Sequence, residues 1–238
     1  MFEALVSAGL FVRGGFHPGP DDSVPPLPDG RAAQTVLLIG NAGPAMWQAL
    51  RAAVPDITGR QPLDRWLKPQ IAAAAHAAGA HALFPNDGPP FIPIQRWALR
   101  ADSVHASPIR LLIHPEFGLW HVYRAALLFA ERIEVPPRAD SASPCDTCAK
   151  KPCLRACPVD AFADLPARSR SGFASAEAGG FDVAGCVAHV ESEAGGNCKQ
   201  RGCMARRACP VGRANAYPVD AQAFHTAAFL RSAKRMLG

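Results

Sequence analysis

The chain has 238 residues, of which 49% are hydrophobic and 19% charged, so it is not a disordered polymer and has room for one large or two small domains. No apolar run reaches the ~18 residues of a membrane span. Glu3 stands where a signal peptide carries Lys or Arg, and we therefore expect a cytoplasmic protein. The formal net charge of +5 is too small to require a nucleic acid partner.

Apolar runs and Gly/Pro turns alternate through residues 1–135 and predict strands and helices in turn. Strands are expected at 35–39, 81–84, 109–113 and 119–129, and helices at 44–54, 63–78 and 91–101. Pro44 suits the first position of its helix, whereas Pro69 is expected to kink the next one. Residues 125–129 also suit a helix by composition, and that alternative stays open. The pattern predicts an α+β fold in which helices flank a sheet.

The second part of the chain has a different composition. Residues 134–144 combine prolines with small polar residues, as a linker does. The following region is rich in Gly, Arg and Ala and has few large aliphatic residues, so we expect bound cofactors to hold it together. Residues 221–237 are predicted to close the chain as a helix.

All eight cysteines lie between Cys145 and Cys209. The first four have the spacing C-x2-C-x4-C-x3-C-P, which differs in one gap from the C-x2-C-x2-C-x3-C-P pattern of two-cluster bacterial ferredoxins. The second run, C-x11-C-x4-C-x5-C-P, is looser but also ends in Cys-Pro. A dense cysteine cluster in a cytosolic chain favours metal binding over disulfides. We therefore predict two [4Fe–4S] clusters.

The proline after the last cysteine of each run turns the chain away, so that this cysteine reaches the other cluster. The predicted ligands of cluster one are Cys145, Cys148, Cys153 and Cys209, and those of cluster two are Cys157, Cys186, Cys198 and Cys203. Cys186 lies in a stretch of helical character, which accounts for its distance from Cys198. Two zinc sites would also use eight thiolates and remain the alternative.

Basic residues surround the second cysteine run, and no acidic residue lies between Ala194 and Pro218. They are Lys199, Arg201, Arg206, Arg207 and Arg213. Two interpretations stay open. These cations either offset the negative charge of the clusters or form a solvated face, or they form a docking patch for an acidic electron donor or for RNA.

The segment from Ile113 to Ala125, IHPEFGLWHVYRA, resembles the IHPRFGGWFAIRG motif of CblC-type cobalamin-processing proteins. Residues 36–50, 75–80 and 128–136 resemble further segments of that family in the same order. The chain departs from the family at Glu116 and Leu119, where the family has Arg and Gly; the first change removes a cation. The resemblance implies a flavin-reductase-like (nitroreductase-like) domain at 1–137 that binds cobalamin.

The order of the cysteines is similar to that of epoxyqueuosine reductases and reductive dehalogenases, which join a corrinoid-binding domain to two [4Fe–4S] clusters. This second resemblance implies a small ferredoxin-like two-cluster domain at 138–238. The chain lacks the helical-repeat tail with which epoxyqueuosine reductases bind tRNA. That difference and the mild charge argue against a nucleic acid partner.

The corrinoid contacts come partly from the resemblance and partly from the residue types. They are His76, His114, Phe117, Gly118, Trp120 and Arg124. The resemblance brings His76 and Trp120 to the corrin and makes Arg124 the counterpart of a thiol-binding arginine. Aromatic side chains offer an apolar wall, and Gly118 allows close backbone approach. A core position for Trp120 and roles without a ligand for His76 and His114 remain alternatives.

Three functions follow from these patterns. The first is a corrinoid-binding iron–sulfur oxidoreductase that reduces the bound cobalt and removes or exchanges its upper ligand, with electrons from an external donor. The second is a ferredoxin-like electron carrier without a corrinoid. The third is a corrinoid-dependent reductase of another substrate, such as a modified nucleoside. Flavin-reductase-like domains often pair, so a homodimer is a further expectation.

Overall fold

The apolar run at residue 35 forms an inner strand of a four-stranded antiparallel sheet. The computed structural model describes residues 2–162 and 180–238, and its strands, in chain order, are β1 (Phe11–Phe16), β2 (Thr35–Ala42), β3 (His81–Leu83), β4 (His105–Ala106), β5 (Leu112–Ile113) and β6 (His121–Phe129). The sheet has the order β1-β2-β6-β3, and β4 and β5 form a separate antiparallel ribbon.

Strands β2 and β6 are buried along most of their length, which explains their unbroken apolar sequence. Large side chains of β2 lie opposite small ones of β6: Leu38 pairs with Ala126, and Ile39 pairs with Ala125. Ala126 also pairs with Leu83 of β3. Residues 125–129 are therefore strand, and the helical alternative is wrong because two neighbouring strands take up their backbone groups.

Four helices accompany the sheet: α1 (Glu3–Val6), α2 (Ala45–Ala53), α3 (Pro62–Ala77) and α4 (Ile94–Ala101). The predicted helices at 44–54 and 63–78 are confirmed within a residue, and α3 continues past Pro69. Helix α4 begins three residues later than predicted because the backbone of Pro93 is not helical. Within α4, Trp97 is fully buried and donates from Nε1 to the Asp22 carbonyl oxygen at 2.8 Å.

Two strand predictions need correction. The predicted strand at 109–113 shrinks to Leu112–Ile113, because the chain turns at Arg110 with φ of +63° and the Ser107 amide donates to the Leu111 carbonyl. The strand predicted from 119 begins at His121, since the two preceding residues belong to the turn that follows Gly118.

The chain divides into two compact units. The first unit contains the sheet and comprises residues 2–104 and 121–141, whereas the second comprises residues 105–120 and the chain from 142 onward. The second unit holds the β4-β5 ribbon and the helices α5 (Pro152–Arg155), α6 (Val183–Glu191), α7 (Gly196–Arg201), α8 (Met204–Ala208) and α9 (Val219–Leu237). Residues 163–179 of the predicted second domain lie outside the described residues.

Helix α6 confirms the helical character predicted around Cys186. The Asp182 carboxylate caps its first turn by accepting from the Gly185 amide at 2.8 Å. Val183 and Val187 of α6 pack against Ala233 of α9, and α9 confirms the predicted C-terminal helix. Within the described residues, no helix is long and apolar enough to cross a membrane.

The predicted linker at 134–144 contains no helix or strand, but its first half is fastened to the first unit. Arg138 donates from Nε to the Asp102 carbonyl oxygen at 3.1 Å. The Ser103 hydroxyl donates to the Ala139 carbonyl oxygen at 2.7 Å. These contacts hold the segment against the end of α4.

Candidate functional site

The eight thiols of the second unit form two groups of four. Burial raises the pKa of Cys145, and negative charge on Cys209, Cys153 and Cys148 raises it further. We call these four cysteines the first thiol group. The second thiol group is Cys157, Cys186, Cys198 and Cys203. These are the two sets of four that the spacing predicts as ligands; whether iron binds them stays a prediction.

An open pocket of about 300 Å³ is lined by all four thiols of the first group. Its other walls are almost entirely apolar: Pro108, Ile113, Pro144, Pro152, Pro210 and Val211, with Lys151 as the one cation. Cys153 and Cys209 also belong to the apolar core of this unit, with Ile109, Ile113 and Leu119. An apolar pocket lined by four thiols suits a soft, thiolate-bound group.

The second thiol group is assembled from four separate segments. Cys186 is supplied by α6 and Cys198 by α7, while Cys203 immediately precedes α8. Burial, followed by the three neighbouring thiols, raises the pKa of Cys186 to about 12. The Ala161 amide donates to the Cys157 sulfur at 3.3 Å, an N–H···S bond of the kind that tunes iron–sulfur clusters.

A zinc site and an iron–sulfur cluster place four thiolates at different distances from one another. No three His, Cys, Asp or Glu side chains in the part of the chain described lie close enough together to hold one metal ion. Zinc would draw four sulfurs to ~2.3 Å from one centre. In a [4Fe–4S] cluster each thiolate binds a different iron, so its four sulfurs stand further apart. Two [4Fe–4S] clusters and two zinc sites both stay predictions for these eight thiols.

Helix α8 connects the two thiol groups, since Cys203 precedes its first residue and Cys209 follows its last. Its middle residue, Arg206, donates from Nε and Nη2 to the Leu119 carbonyl oxygen at 3.0 and 2.5 Å. The guanidinium carbon lies 4.6 Å from the ring centre of Trp120 and 4.8 Å from that of Tyr217. Desolvation lowers the pKa of Arg206, and the two aromatic faces compensate by cation–π attraction.

These contacts bury Trp120 within the second unit. Its indole has 2% of its surface exposed and contacts Tyr217 edge-on, with ring centres 5.5 Å apart. Sequence reasoning missed Tyr217 altogether. The signal was available, because Tyr217 is the one aromatic residue in the acid-free stretch between Ala194 and Pro218.

The loop from His114 to Gly118 packs backbone against backbone on the segment after Cys209. A Cβ atom on Gly118, whose φ is +58°, would lie 2.0 Å from the Val211 carbonyl oxygen. One on Gly212 would lie 2.3 Å from the Phe117 carbonyl carbon. Only glycine permits such approach. The predicted corrinoid motif thus contributes to the packing around the first thiol group.

His114 organises that loop through its imidazole. Its Nδ1 accepts from the amides of Glu116 and Phe117 at 3.1 and 3.2 Å, and its ring stacks on Phe117 with centres 4.4 Å apart. Because Nδ1 accepts, the neutral ring carries its proton on Nε2.

The other two predicted corrinoid contacts belong to the first unit. His76 is exposed near the end of α3. Arg124 lines an open cleft of about 250 Å³ and donates from Nε to the Asn41 side-chain oxygen at 2.9 Å. The remaining walls of this cleft are Asp64, Leu67, Lys68, Ile71, Phe84, Pro85 and Asn86. The six predicted corrinoid residues are thus distributed over both units.

A buried ion pair in the first unit escaped the sequence analysis. Arg13 and Asp102 lie 2.8 Å apart with side chains 1% and 8% exposed. The Tyr123 hydroxyl donates to the Asp102 carboxylate at 2.8 Å. The Arg13 guanidinium carbon lies 4.9 Å from the centre of the Tyr123 ring. Burial raises the pKa of Tyr123. The pair fastens β1 and β6 to the end of α4.

Comparison with solved structures finds this fold in two kinds of protein. The *C. elegans* B12-trafficking protein CblC matches with a TM-score of 0.50 and 13% identity, over 97% of this chain and 91% of its own. Epoxyqueuosine reductase from *Bacillus subtilis* and an epoxyqueuosine reductase bound to a tRNA stem loop each match with a TM-score of 0.50 and 14% identity. Each match covers 91% of this chain and 66% of the reductase. The fold of this chain is similar to theirs.

These likenesses concern the fold. The chain spans 52% of the epoxyqueuosine reductase from *Streptococcus thermophilus*. No protein-family model matches the chain, and no curated protein matches its sequence.

Proposed function

We propose that the chain is a corrinoid-binding iron–sulfur oxidoreductase that reduces a bound cobalamin and removes or exchanges its upper ligand. The observation that carries the proposal is the division of eight thiols into two groups of four, in a chain whose fold is similar to that of CblC and the epoxyqueuosine reductases. Two clusters supply electrons one at a time, and a corrinoid is a natural acceptor for them.

Each thiol group would hold one [4Fe–4S] cluster in a ferredoxin-like arrangement. In the first group, the apolar pocket restricts water around the cluster, and Lys151 offsets part of its negative charge. In the second group, Cys157 receives a backbone N–H, which stabilises the reduced cluster. The last cysteine of each run would bind the cluster of the other run. One ligand of each cluster, Cys203 or Cys209, would therefore flank the same short helix, α8.

The first unit would bind the cobalamin, as the likeness to a protein named for B12 trafficking suggests. A cobalamin held there would supply a cobalt centre that accepts one electron at a time and releases its upper ligand more readily once it is reduced. Arg124 contributes a fixed hydrogen-bond donor at the wall of its cleft. His76 offers an exposed imidazole for an amide of the corrin rim.

The motif around His114 would then have a positioning role. Trp120 is covered by Arg206 and Tyr217, so its indole supports the second unit instead of forming an open wall. His114 and Phe117 are only partly buried and retain surface for a ligand.

Anaerobic reconstitution followed by cobalamin titration tests the proposal. We expect about eight iron and eight sulfide per chain and a shift of the cobalamin spectrum toward the base-detached form at stoichiometric protein. Reducing the clusters should then reduce bound cob(III)alamin without added flavin. A matched pair of variants, His76→Ala and His189→Ala, compares the predicted contact with a histidine of α6 in the second unit; only the first should weaken binding.

Two results would overturn the proposal in different ways. Stoichiometric zinc without broad visible absorbance would replace the clusters by zinc sites. A fully loaded protein that leaves the cobalamin spectrum unchanged at micromolar concentration would be an electron carrier with the corrinoid fold alone.

A further inference from the structure

Among the eight thiols of the described residues, Cys203 alone is exposed. The remaining cysteines of its group are partly or fully buried. If the second group holds a cluster, as the proposed function requires, the residue Cys203 is the exposed edge of its ligand set, although the thiol itself is desolvated, which raises its pKa. Electrons from another molecule would enter most directly at this edge.

Cations lie next to this edge in a defined arrangement. The Arg207 amide donates to the Cys203 carbonyl oxygen at 3.1 Å, so the two residues are one helical turn apart. The Arg207 guanidinium donates to the side chain of Asn197 in α7. Asn197 and Arg201 are four residues apart on α7 and share one face. A continuous row of side chains therefore leads from Cys203 to Arg201.

We name Lys199, Arg201 and Arg207 the basic strip. Lys199 and Arg201 are exposed, and Arg207 is half-buried. None of the three pairs with an acidic side chain in the part of the chain that the structure describes. The sequence itself has no acidic residue from 194 to 218. Within the described residues, no ion pair with an acidic side chain therefore offsets the charge of the basic strip.

The surface suits a protein better than RNA. Proteins that bind single-stranded nucleic acids add aromatic platforms to their positive charge. Tyr217 is the one aromatic residue between 194 and 218, and it is 4% exposed beneath Arg206. Charge without accessible aromatic rings matches the acidic surface of a small redox protein.

We propose that the basic strip is the docking surface of an acidic electron-donor protein, which delivers electrons to the second thiol group at Cys203. The inference rests on the proposed function and adds its missing partner. Electrostatic steering predicts fast association at low salt and a strong loss of rate as salt rises.

Stopped-flow reduction of the fully loaded chain tests the inference. The donor is a reduced acidic ferredoxin of the plant [2Fe–2S] type, and reduced free riboflavin serves as a small donor without an acidic protein surface. We expect the double substitution Lys199→Glu and Arg201→Glu to lower the ferredoxin rate constant about tenfold at low ionic strength. The difference should shrink at high salt, and the riboflavin rate should stay the same.

The matched control is the double substitution Arg231→Glu and Arg235→Glu. Both residues are exposed on the last turns of α9, and the change in charge is identical. Gln222, against which Gly202 packs, is nine residues before Arg231, so about 14 Å of helix separates this control from the end of α7. We expect the control to retain the parent rate with both donors.

The outcomes separate the two proposals. A chain that takes up no iron–sulfur cluster would overturn the proposed function itself. A loaded chain whose ferredoxin rate ignores the basic strip, or responds equally to the control, would overturn the docking surface alone. Loss of binding to a single-stranded RNA in the strip variant, with unchanged ferredoxin rates, would assign the strip to RNA and also overturn it.

Discussion

The two units of this chain are built by different means. The first contains no cysteine, and its sheet is buried by side chains such as Leu38, Ile39 and Trp97, all fully inaccessible. In the second unit the cysteines themselves belong to the core, because Cys153 and Cys209 pack with Ile113 and Leu119. Apolar burial is enough to define the sheet. If its thiols bind metal as proposed, we expect the second unit to depend in addition on that metal, as small metal-binding domains do.

Removal of iron is expected to produce the largest difference in stability between the two units. After treatment of the reconstituted protein with a chelator under anaerobic conditions, we expect the second unit to lose protection against hydrogen exchange from 142 onward. Amides of β2 and β6 should stay protected, because their partners are other strands. Hydrogen exchange followed by mass spectrometry measures both regions at once. Equal loss of protection in the sheet would mean that the units fold as one.

Single cysteine substitutions sharpen the comparison within the second unit. Cys153 and Cys157 are neighbours in the first run but belong to different thiol groups. We expect Cys157→Ser to disturb the second cluster and Cys153→Ser the first, each leaving about four iron in place. Electron paramagnetic resonance of the reduced proteins distinguishes the two cases. If Cys157→Ser instead removed the signal that Cys153→Ser removes, the exchange of fourth ligands would be wrong.

Two buried tryptophans compare the cores directly. Trp97 in the first unit and Trp120 in the second are 0% and 2% exposed, and replacing a buried Trp by Ala costs about 3–5 kcal/mol. We expect Trp97→Ala to destabilise the sheet and Trp120→Ala to loosen the second unit and its clusters. Thermal unfolding, followed by circular dichroism and by visible absorbance, reports the two losses separately. Trp66, which is half-buried on α3, provides the control and should change stability least.

A pair of glycines gives the smallest expected effects. Gly118 and Gly79 both have positive φ, +58° and +70°, but only Gly118 faces backbone atoms within 4 Å. Gly79→Ala should cost about 1–2 kcal/mol from the left-handed backbone alone. Gly118→Ala should cost about 1–3 kcal/mol more, because its methyl group would overlap the Val211 carbonyl. Denaturant titration measures the difference, and equal costs would show that the loop can move away.

Much of the first unit could be predicted because its sequence signals are local. The run from Thr35 and the Ala-rich stretch of α3 each satisfy one periodicity. Strand β1 was missed because Gly14 and Gly15 interrupt it, although Gly15 is there to make room for Leu37. The strand predicted from Ile109 was too long. Ile109 and Ile113 are both buried, but the chain turns between them instead of running straight.

The candidate site shows the same contrast between local and distant sequence signals. Cysteine spacing predicts which thiols neighbour one another in each group, because the spacing is a local signal; that these thiols are metal ligands stays a prediction. The setting of Trp120 could not be predicted, since the Arg206 that covers it is bonded to Leu119 from 87 residues further along the chain. The ion pair of Arg13 with Asp102 is equally remote in sequence and leaves no periodic signal.

The exchange of cysteines across α8 has a consequence for biosynthesis. A chain leaving the ribosome completes the second thiol group only at Cys203 and the first only at Cys209, six residues later. By then the whole sheet has been made, since its last strand ends at Phe129. The sheet can therefore fold before either thiol group is complete. Both groups are then complete within six residues of synthesis. If they bind iron as proposed, a nascent chain offers only incomplete sites until that point.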